Sequence, residues 1–367
     1  MLWIVLGIVL FVAIGYLSFV NFYPSFGGTI SKELQLKYTS SPNFKNGKFV
    51  NTDHSIPKKL SFSETLGLTK KFFFTKVPKG RPDANIEVKK IDSAAIADYQ
   101  GPARLIWFGH SAFLLQVEGK NILIDPMFGD VAAPHDWLGT NRFNSQMPID
   151  IAELNKIDAV VISHDHYDHL DYGSIKELKT KVGHYFTPLG VRTHLEAWGV
   201  AKNRITELDW WQDIDFEGIK LVCTPAQHFS GRKFDNGQST LWSSWVIQSK
   251  EENIFFSGDS GYAPHFKKIG DSYGPFKFAM IECGQYNDMW PDIHMFPEET
   301  AQAAVDLRAK TMMPIHWGSF KLALHSWTDP VERVTKKARE LEIPMVTPQI
   351  GEFILLDDLN NNTTWWD

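Results

Sequence analysis

Ser163-His164-Asp165-His166-Tyr167-Asp168-His169 sets imidazoles and carboxylates at H-x-H-x-D-H spacing. Neutral imidazole and carboxylate are donors that zinc takes in tetrahedral or expanded sites. A loop with this spacing can turn His164 and His166 towards one ion while Asp168 and His169 face a second. A histidine-rich polar surface loop would show the same letters, so position has to separate the two readings. The run directly follows an apolar stretch, Asp158 to Ser163, expected as a strand. Strand ends are where a rigid sheet aims several ligands at one point.

Three further donors stand at expected strand ends. His228 follows Ile219 to Thr224. Asp259 follows Asn253 to Phe256, inside Ser257-Gly258-Asp259-Ser260-Gly261. His316 follows Met312 to Ile315, inside Pro314-Ile315-His316-Trp317-Gly318. Singly, each residue reads as a hydrogen-bonded structural group. With the H-x-H-x-D-H loop they complete two metal sites. Competing chemistries are weak. Cys223 and Cys283 are too few for a disulfide framework and lack paired zinc spacing. No G-x-S-x-G nucleophile turn is present.

The elements that must carry these donors follow from the hydrophobic pattern. Ala112 to Val117 and Asn121 to Ile124 flank Glu118-Gly119 and read as a hairpin. Leu241 to Ile247 and Phe278 to Ile281 add strands. Helices are expected at Pro297 to Lys310, with Pro297, Glu298 and Glu299 suiting its N-terminus, and at Asp329 to Leu341. Strands mixed with amphipathic helices predict a layered α/β domain.

The chain has 367 residues and a formal net charge of −6, which gives no electrostatic footprint for nucleic acid. Leu2 to Val20 is almost wholly apolar, and the first charged side chain is Lys32. Such a run is long enough to cross a bilayer. It lacks the basic n-region and the A-x-A site of a cleaved signal peptide. The expectation is an uncleaved single-pass membrane anchor. Lys32, Lys37, Lys45 and Lys48 on its C-terminal side favour a cytoplasmic catalytic domain. Leu66 to Arg81 mixes Leu66, Leu68 and Phe72 to Phe74 with Lys70, Lys71, Lys76, Lys79 and Arg81. Docking on a bilayer surface is one reading; packing of its Phe residues on the main domain is favoured. The domain plan is a transmembrane anchor over 1–23, a linker and N-terminal cap over 24–100, a catalytic domain over 101–358 and a polar tail over 359–367.

At Trp107-Phe108-Gly109-His110, Asp125-Pro126, Ser163 to Asp171, Leu208-Asp209-Trp210-Trp211, Gln227-His228, Leu241 to Trp245, Gly258 to Tyr262, Pro297-Glu298-Glu299 and Ile315 to Gly318, the chain resembles the metallo-β-lactamase superfamily. The tryptophan-containing stretches with His-Tyr-Asp-His-Leu-Asp point to its N-acyl phosphatidylethanolamine phospholipase D-like branch. The resemblance runs from about Leu105 to about Asp357. It implies a four-layer αββα sandwich with the metals at one edge of the two sheets. It also implies His164, His166 and His228 on a first zinc, Asp168, His169 and His316 on a second, and Asp259 bridging both. The nucleophile implied is a zinc-bound hydroxide, with Asp168 or Asp259 orienting it or taking its proton.

His294 matches a family histidine near the substrate channel, where a phosphate contact and a helix-capping or surface role are both open. His110 is expected to make a structural hydrogen bond. His325 matches a family position with no role assigned. His54, His135, His184, His194 and His265 read as ordinary surface or core residues. The chain departs from the family at Glu282 to Met289, where a family arginine is missing and Asp288 stands nearby. The leading expectation is phospholipase D-type hydrolysis of an N-acylated phospholipid. A lactonase or other small-ester hydrolase is the alternative on the same site. A membrane-bound scaffold with a vestigial site is the non-catalytic one. Oligomeric state is left open.

Overall fold

The computed structural model describes residues 2–52, 63, 66–67, 70–71, 74–97, 99–233, 235–359 and 363–367. His54, Leu68, Phe72 and Phe73 lie outside the described residues. After a short antiparallel ladder of β1 (Phe44–Lys45) and β2 (Lys48–Phe49), two larger sheets carry the fold. The first begins with β3 (Arg104–Trp107), β4 (Phe113–Val117) and β5 (Lys120–Ile124) as an antiparallel meander. Glu118 and Gly119 both take positive φ, the two-residue turn that matches strand twist. β6 (Ile157–Val161), β7 (Val182–Pro188) and β8 (Ile205–Leu208) then add in parallel, and β15 (Phe353–Leu355) closes the other edge. The order is β15-β3-β4-β5-β6-β7-β8.

The second sheet runs β14-β13-β12-β11-β10-β9. Its strands are β9 (Asp213–Phe216), β10 (Ile219–Thr224), β11 (Ser244–Gln248), β12 (Asn253–Phe256), β13 (Phe278–Glu282) and β14 (Met312–Ile315). Antiparallel pairing from β9 to β12 gives way to parallel pairing from β12 to β14.

The two-residue period of a strand builds the layers. Leu105, Trp107, Ile122 and Ile124 join Leu221, Trp245, Phe256 and Met280 in one core between the sheets. Their neighbours Ile106 and Leu123 face the other way, into a core with Ile175 and Leu178 of α3 (Tyr172–Leu178) and Leu195 of α4 (Arg192–Ala197). Behind the second sheet, Phe255, Ala279 and Ile281 pack on α5 (His265–Tyr273), α6 (Pro297–Asp306) and α7 (Asp329–Glu340) through Phe266, Ala301 and Val334. Apart from the edge strand β9, whose residues are exposed or half-buried, both sheets are therefore covered on both faces, as the αββα expectation requires.

Some boundaries differ from the sequence reading. Leu241 to Ser243 is apolar but not in β11; Leu241 N–H donates to Leu189 O at 2.7 Å and Ser243 N–H to Ser163 O at 2.9 Å. This stretch stitches the second sheet to the first. Helix α6 stops at Asp306, and Lys310 N–H instead donates to Phe276 O. Strands β7 and β8 and helices α3 to α5 were not anticipated.

At the N-terminus, α1 (Leu2–Phe22) has no buried residue. It is long and apolar enough to cross a membrane. A short turn, Pro24–Phe26, and α2 (Lys32–Tyr38) follow. Tyr38 and Phe49 pack into the core between the sheets, and Tyr38 donates to Glu207 Oε1 at 2.7 Å. In the Leu66 to Arg81 segment, Phe74 is 83% exposed, so it does not pack on the domain as favoured above. The last residues also differ from a purely polar tail. Trp366 is buried in the core between the sheets, and Trp365 stacks on Trp317 with ring centroids 5.2 Å apart. The chain end thus props the residue that follows His316. Trp366→Ala should lower stability by about 3 kcal/mol through loss of a buried indole. Denaturant unfolding of the full chain in detergent measures this; an unchanged midpoint would show that the indole contributes nothing to the core.

Candidate metal centre

The ends of β6, β10, β12 and β14 converge, and each delivers its donors from the turn that follows. The turn after β12 needs Gly258. It has φ +57°, and a Cβ there would lie 2.7 Å from Ser163 Cβ. Only glycine lets Asp259 approach the His164 loop this closely. His316, His110 and Asp125 also hold positive φ without being glycine. Such backbone costs roughly 1–3 kcal/mol per residue and persists where surrounding structure over-determines it.

Asp259 is the hub. Its Oδ1 lies 3.0 Å from His169 Nε2 and 3.1 Å from His316 Nδ1. Its Oδ2 lies 3.7 Å from His164 Nε2 and 3.8 Å from His228 Nε2. Two donor groups meet there. His164, His166, His228 and Asp259 bring one atom each within 4.8 Å of one another, and so do His110, Asp168, His169 and His316. The seven residues expected as metal ligands lie in these two groups, where His110 joins the second and Asp259 stands in the first.

A second layer fixes which nitrogen faces inward. Asp125 accepts from His169 Nδ1 at 2.7 Å, leaving His169 Nε2 for the cluster. His228 Nδ1 donates to Ile293 O at 2.9 Å, leaving its Nε2 inward. Ser163 Oγ sits 2.9 Å from His164 Nδ1 and 2.5 Å from Asp125 Oδ2. His110 Nε2 lies 2.8 Å from Asp168 Oδ2, so its hydrogen bond holds an expected ligand in place.

Burial holds His164, His228 and His316 well below the usual imidazole range, which keeps their lone pairs available. His169 goes the other way: burial opposes its charge, but Asp259 and Asp168 outweigh it and raise it well above that range. His169 Nε2 and Asp259 Oδ1 are both buried without a hydrogen-bond partner, although only 3.0 Å apart. Two acceptor-capable atoms misaligned with each other and aimed at common space are what a metal ion would satisfy. The donor set of imidazoles and carboxylates fits zinc.

His294 is brought to the same cleft. Its ring stacks on His316 at 5.2 Å and meets His228 edge-on at 5.2 Å. It is not a helix cap: its Nδ1 donates to Glu282 Oε1 at 3.2 Å, which directs Nε2 away from the carboxylate. Glu282 was not singled out from the sequence. It is fully buried at the end of β13, and burial pushes its carboxyl up to about 7 against the pull of His294. The same carboxylate accepts from Met295 N–H at 3.0 Å. The one available signal was a glutamate closing an otherwise apolar strand.

Asp288, in the turn beyond, is exposed. Arg232, close to the His164 loop, is committed to backbone carbonyls. It donates to Asp165 O at 2.6 Å, Leu170 O at 2.8 Å and Ser25 O at 2.6 Å. His325 stacks on Tyr286 at 4.4 Å, away from the donor groups. His194 supports the ligand loop through Asp165, 3.3 Å away.

Comparison with known proteins bears out the family and the fold. The model of the β-lactamase superfamily domain matches residues 120–317. An uncharacterized protein of Mycobacterium tuberculosis is 37% identical over 350 residues, covering 94% of this chain and 92% of that protein. The N-acyl-phosphatidylethanolamine-hydrolyzing phospholipase D 1 of Caenorhabditis elegans is 31% identical over 263 residues, covering 67% of this chain and 74% of that protein. Among solved structures, a metallo hydrolase from the hyperthermophilic archaeon Ignicoccus hospitalis matches with a TM-score of 0.53 at 22% identity, covering 69% of this chain and 98% of that one, a likeness of fold. The chain belongs to the metallo-β-lactamase superfamily of metal-dependent hydrolases.

Proposed function

We propose that this protein is a membrane-anchored, two-zinc phosphodiesterase acting on N-acyl phosphatidylethanolamine-type phospholipids. The observation that carries it is the meeting of two donor groups on Asp259. His164, His166 and His228 would hold one zinc ion, Asp168, His169 and His316 the other, and Asp259 both. Such a pair of ions supplies Lewis acidity and a water of lowered pKa. The substrate class rests on the likeness to the worm phospholipase D and on the apolar α1, which suits a lipid substrate. We take α1 as a single-pass anchor with the catalytic domain on the cytoplasmic side.

The chain's own residues do the positioning. Asp125 and Ser163 lock the rotamers of His169 and His164. His110 fixes Asp168, which together with Asp259 keeps the centre negative and so suited to cations. His294 is the substrate contact. With Nδ1 on Glu282, its Nε2 is free to meet a phosphoryl oxygen in the cleft. The exposed Asp288, near the stretch where the expected family arginine is missing, favours a second reading: a less anionic substrate such as a lactone or small ester.

Protein purified without added metal should contain about two zinc equivalents by elemental analysis. His228→Ala and His169→Ala should each lose at least one. A folded, active, metal-free preparation would sink the proposal. Incubation with mixed lipid extract should release N-acyl ethanolamine and phosphatidic acid by mass spectrometry; turnover of lactones alone would select the second reading. Glu282→Ala should lower kcat/KM roughly tenfold with zinc content intact, and Glu282→Gln, which keeps an acceptor for His294, should recover most of it. Equal losses in both variants would show that Glu282 does not act through that hydrogen bond.

A further inference from the structure

Buried arginines tie the turns around the metal centre to two apolar elements on the protein's outside. The first is Arg232. Its guanidinium bridges Ser25 O, three residues past α1, to Asp165 O and Leu170 O in and beside the ligand loop. It also lies over the Tyr167 and Trp198 rings, at 4.0 and 5.2 Å. Trp198 Nε1 donates to Pro24 O at 2.8 Å. Gly28 packs so closely on α4 that a Cβ would lie 2.3 Å from Thr193 O. The end of α1 is therefore fixed to the ligand loop, with no slack between them.

The second is Arg142, at the stem of the loop from Asp130 to Asn141. It donates to Met127 O at 2.7 Å, just past Asp125, and to Phe108 O at 3.4 Å, just before Gly109-His110. Val131 and Asn141 bridge the same stem. At the tip of this loop, Trp137 is 68% exposed and Leu138 43% exposed. The tip does not stand alone. The Trp137 ring lies 5.9 Å from Phe19 of α1, and His135 lies 5.3 Å from Tyr23. Phe19 and Tyr23 belong to the last turn of the helix and the residue after it, where a spanning helix meets the headgroup layer.

We propose that the Trp137-Leu138 tip is a second membrane contact, seated in the lipid–water interface beside the end of α1 and holding the metal cleft against the bilayer. The occupant is the lipid surface that receives α1, because the tip continues the helix's own apolar surface. An exposed indole at that level is the side chain that lipid–water interfaces favour, apolar in its body and polar at its N–H. Leu138 adds apolar area at the same tip. The inference rests on reading α1 as an anchor. What it adds is a fixed orientation, with substrate entering from the membrane side rather than from bulk water.

Site-directed spin labelling of the full chain in phosphatidylcholine–phosphatidylglycerol vesicles tests it. Cys223 and Cys283 are buried, so a nitroxide reagent selects the introduced thiol. Three variants are compared by relaxation with oxygen and with a water-soluble nickel complex: Phe11→Cys in α1, Trp137→Cys at the tip and Lys267→Cys on α5. The expected result is a label deep in lipid at 11, at headgroup depth at 137 and in water at 267. Lipid depth at 11 with full nickel access at 137 would overturn the second contact and leave the anchor standing. Full nickel access at both would remove the anchor and the contact with it. Trp137→Lys gives an independent readout: turnover of N-acyl phosphatidylethanolamine carried in those vesicles should fall several-fold while turnover of a dispersed short-chain N-acyl phosphatidylethanolamine stays unchanged. Equal effects on both would overturn the proposal.

Discussion

The carboxylate of Asp259 is the charge on which the rest of the centre depends. It lies within 4 Å of His164, His169, His228 and His316, which come from the turns after three different strands. Packing imidazoles so closely is unfavourable without a negative charge among them, because each would repel the proton of the next. Asp259 and Asp168 supply that charge, and burial holds most of the rings neutral. A cluster of neutral nitrogens around carboxylates is a cation trap. Its geometry is only as good as the approach of the Asp259 turn to the His164 loop, and that approach is possible because residue 258 has no side chain.

The two sheets make such precision affordable. Every expected ligand sits in the turn or loop that follows a strand packed on both faces and held in register by its neighbours. The expected ligands come from both sheets: the His164 loop follows the first, and His228, Asp259 and His316 follow the second. The centre therefore staples the layers at one edge, as Leu241 to Ser243 stitches them by backbone hydrogen bonds nearby. A shift of one sheet over the other would separate the donor groups, so the aromatic core between them, with Trp107, Trp245 and Trp317, serves the chemistry as well as stability.

What could be read from the sequence follows this division. The H-x-H-x-D-H loop was legible because its donors are adjacent in the chain, and His228, Asp259 and His316 because each follows a short apolar run that could only be a buried strand. Glu282 was not legible: its partner His294 is 12 residues away across an irregular turn, and a glutamate at a strand end ordinarily faces water. The role of Arg232 was not legible for the same reason: its acceptor at Ser25 is 207 residues distant in sequence. The tryptophans of the chain end looked like part of a polar tail because nothing local tells a buried indole from an exposed one.

The buried guanidiniums also bear on why the ligand loop keeps its shape. Asp165 lies between the expected ligands His164 and His166, and burial alone would raise its carboxyl. The His194 hydrogen bond and the nearby imidazoles outweigh burial and hold it well below the ordinary range. That carboxylate also accepts from Gly231 N–H at 2.8 Å, beside Arg232. The chain segment around 231 thus supplies the loop with a backbone donor and a cation together. Neither touches the expected metals. Both restrain the residue between two ligands, so the directions of His164 and His166 are set from behind. Hydrogen bonds to a charged partner are the stronger kind, and in a buried setting they are costly to leave unmade. The loop is therefore rigid for reasons that lie outside the metal centre, and the same contacts that make it rigid fasten it to the end of α1.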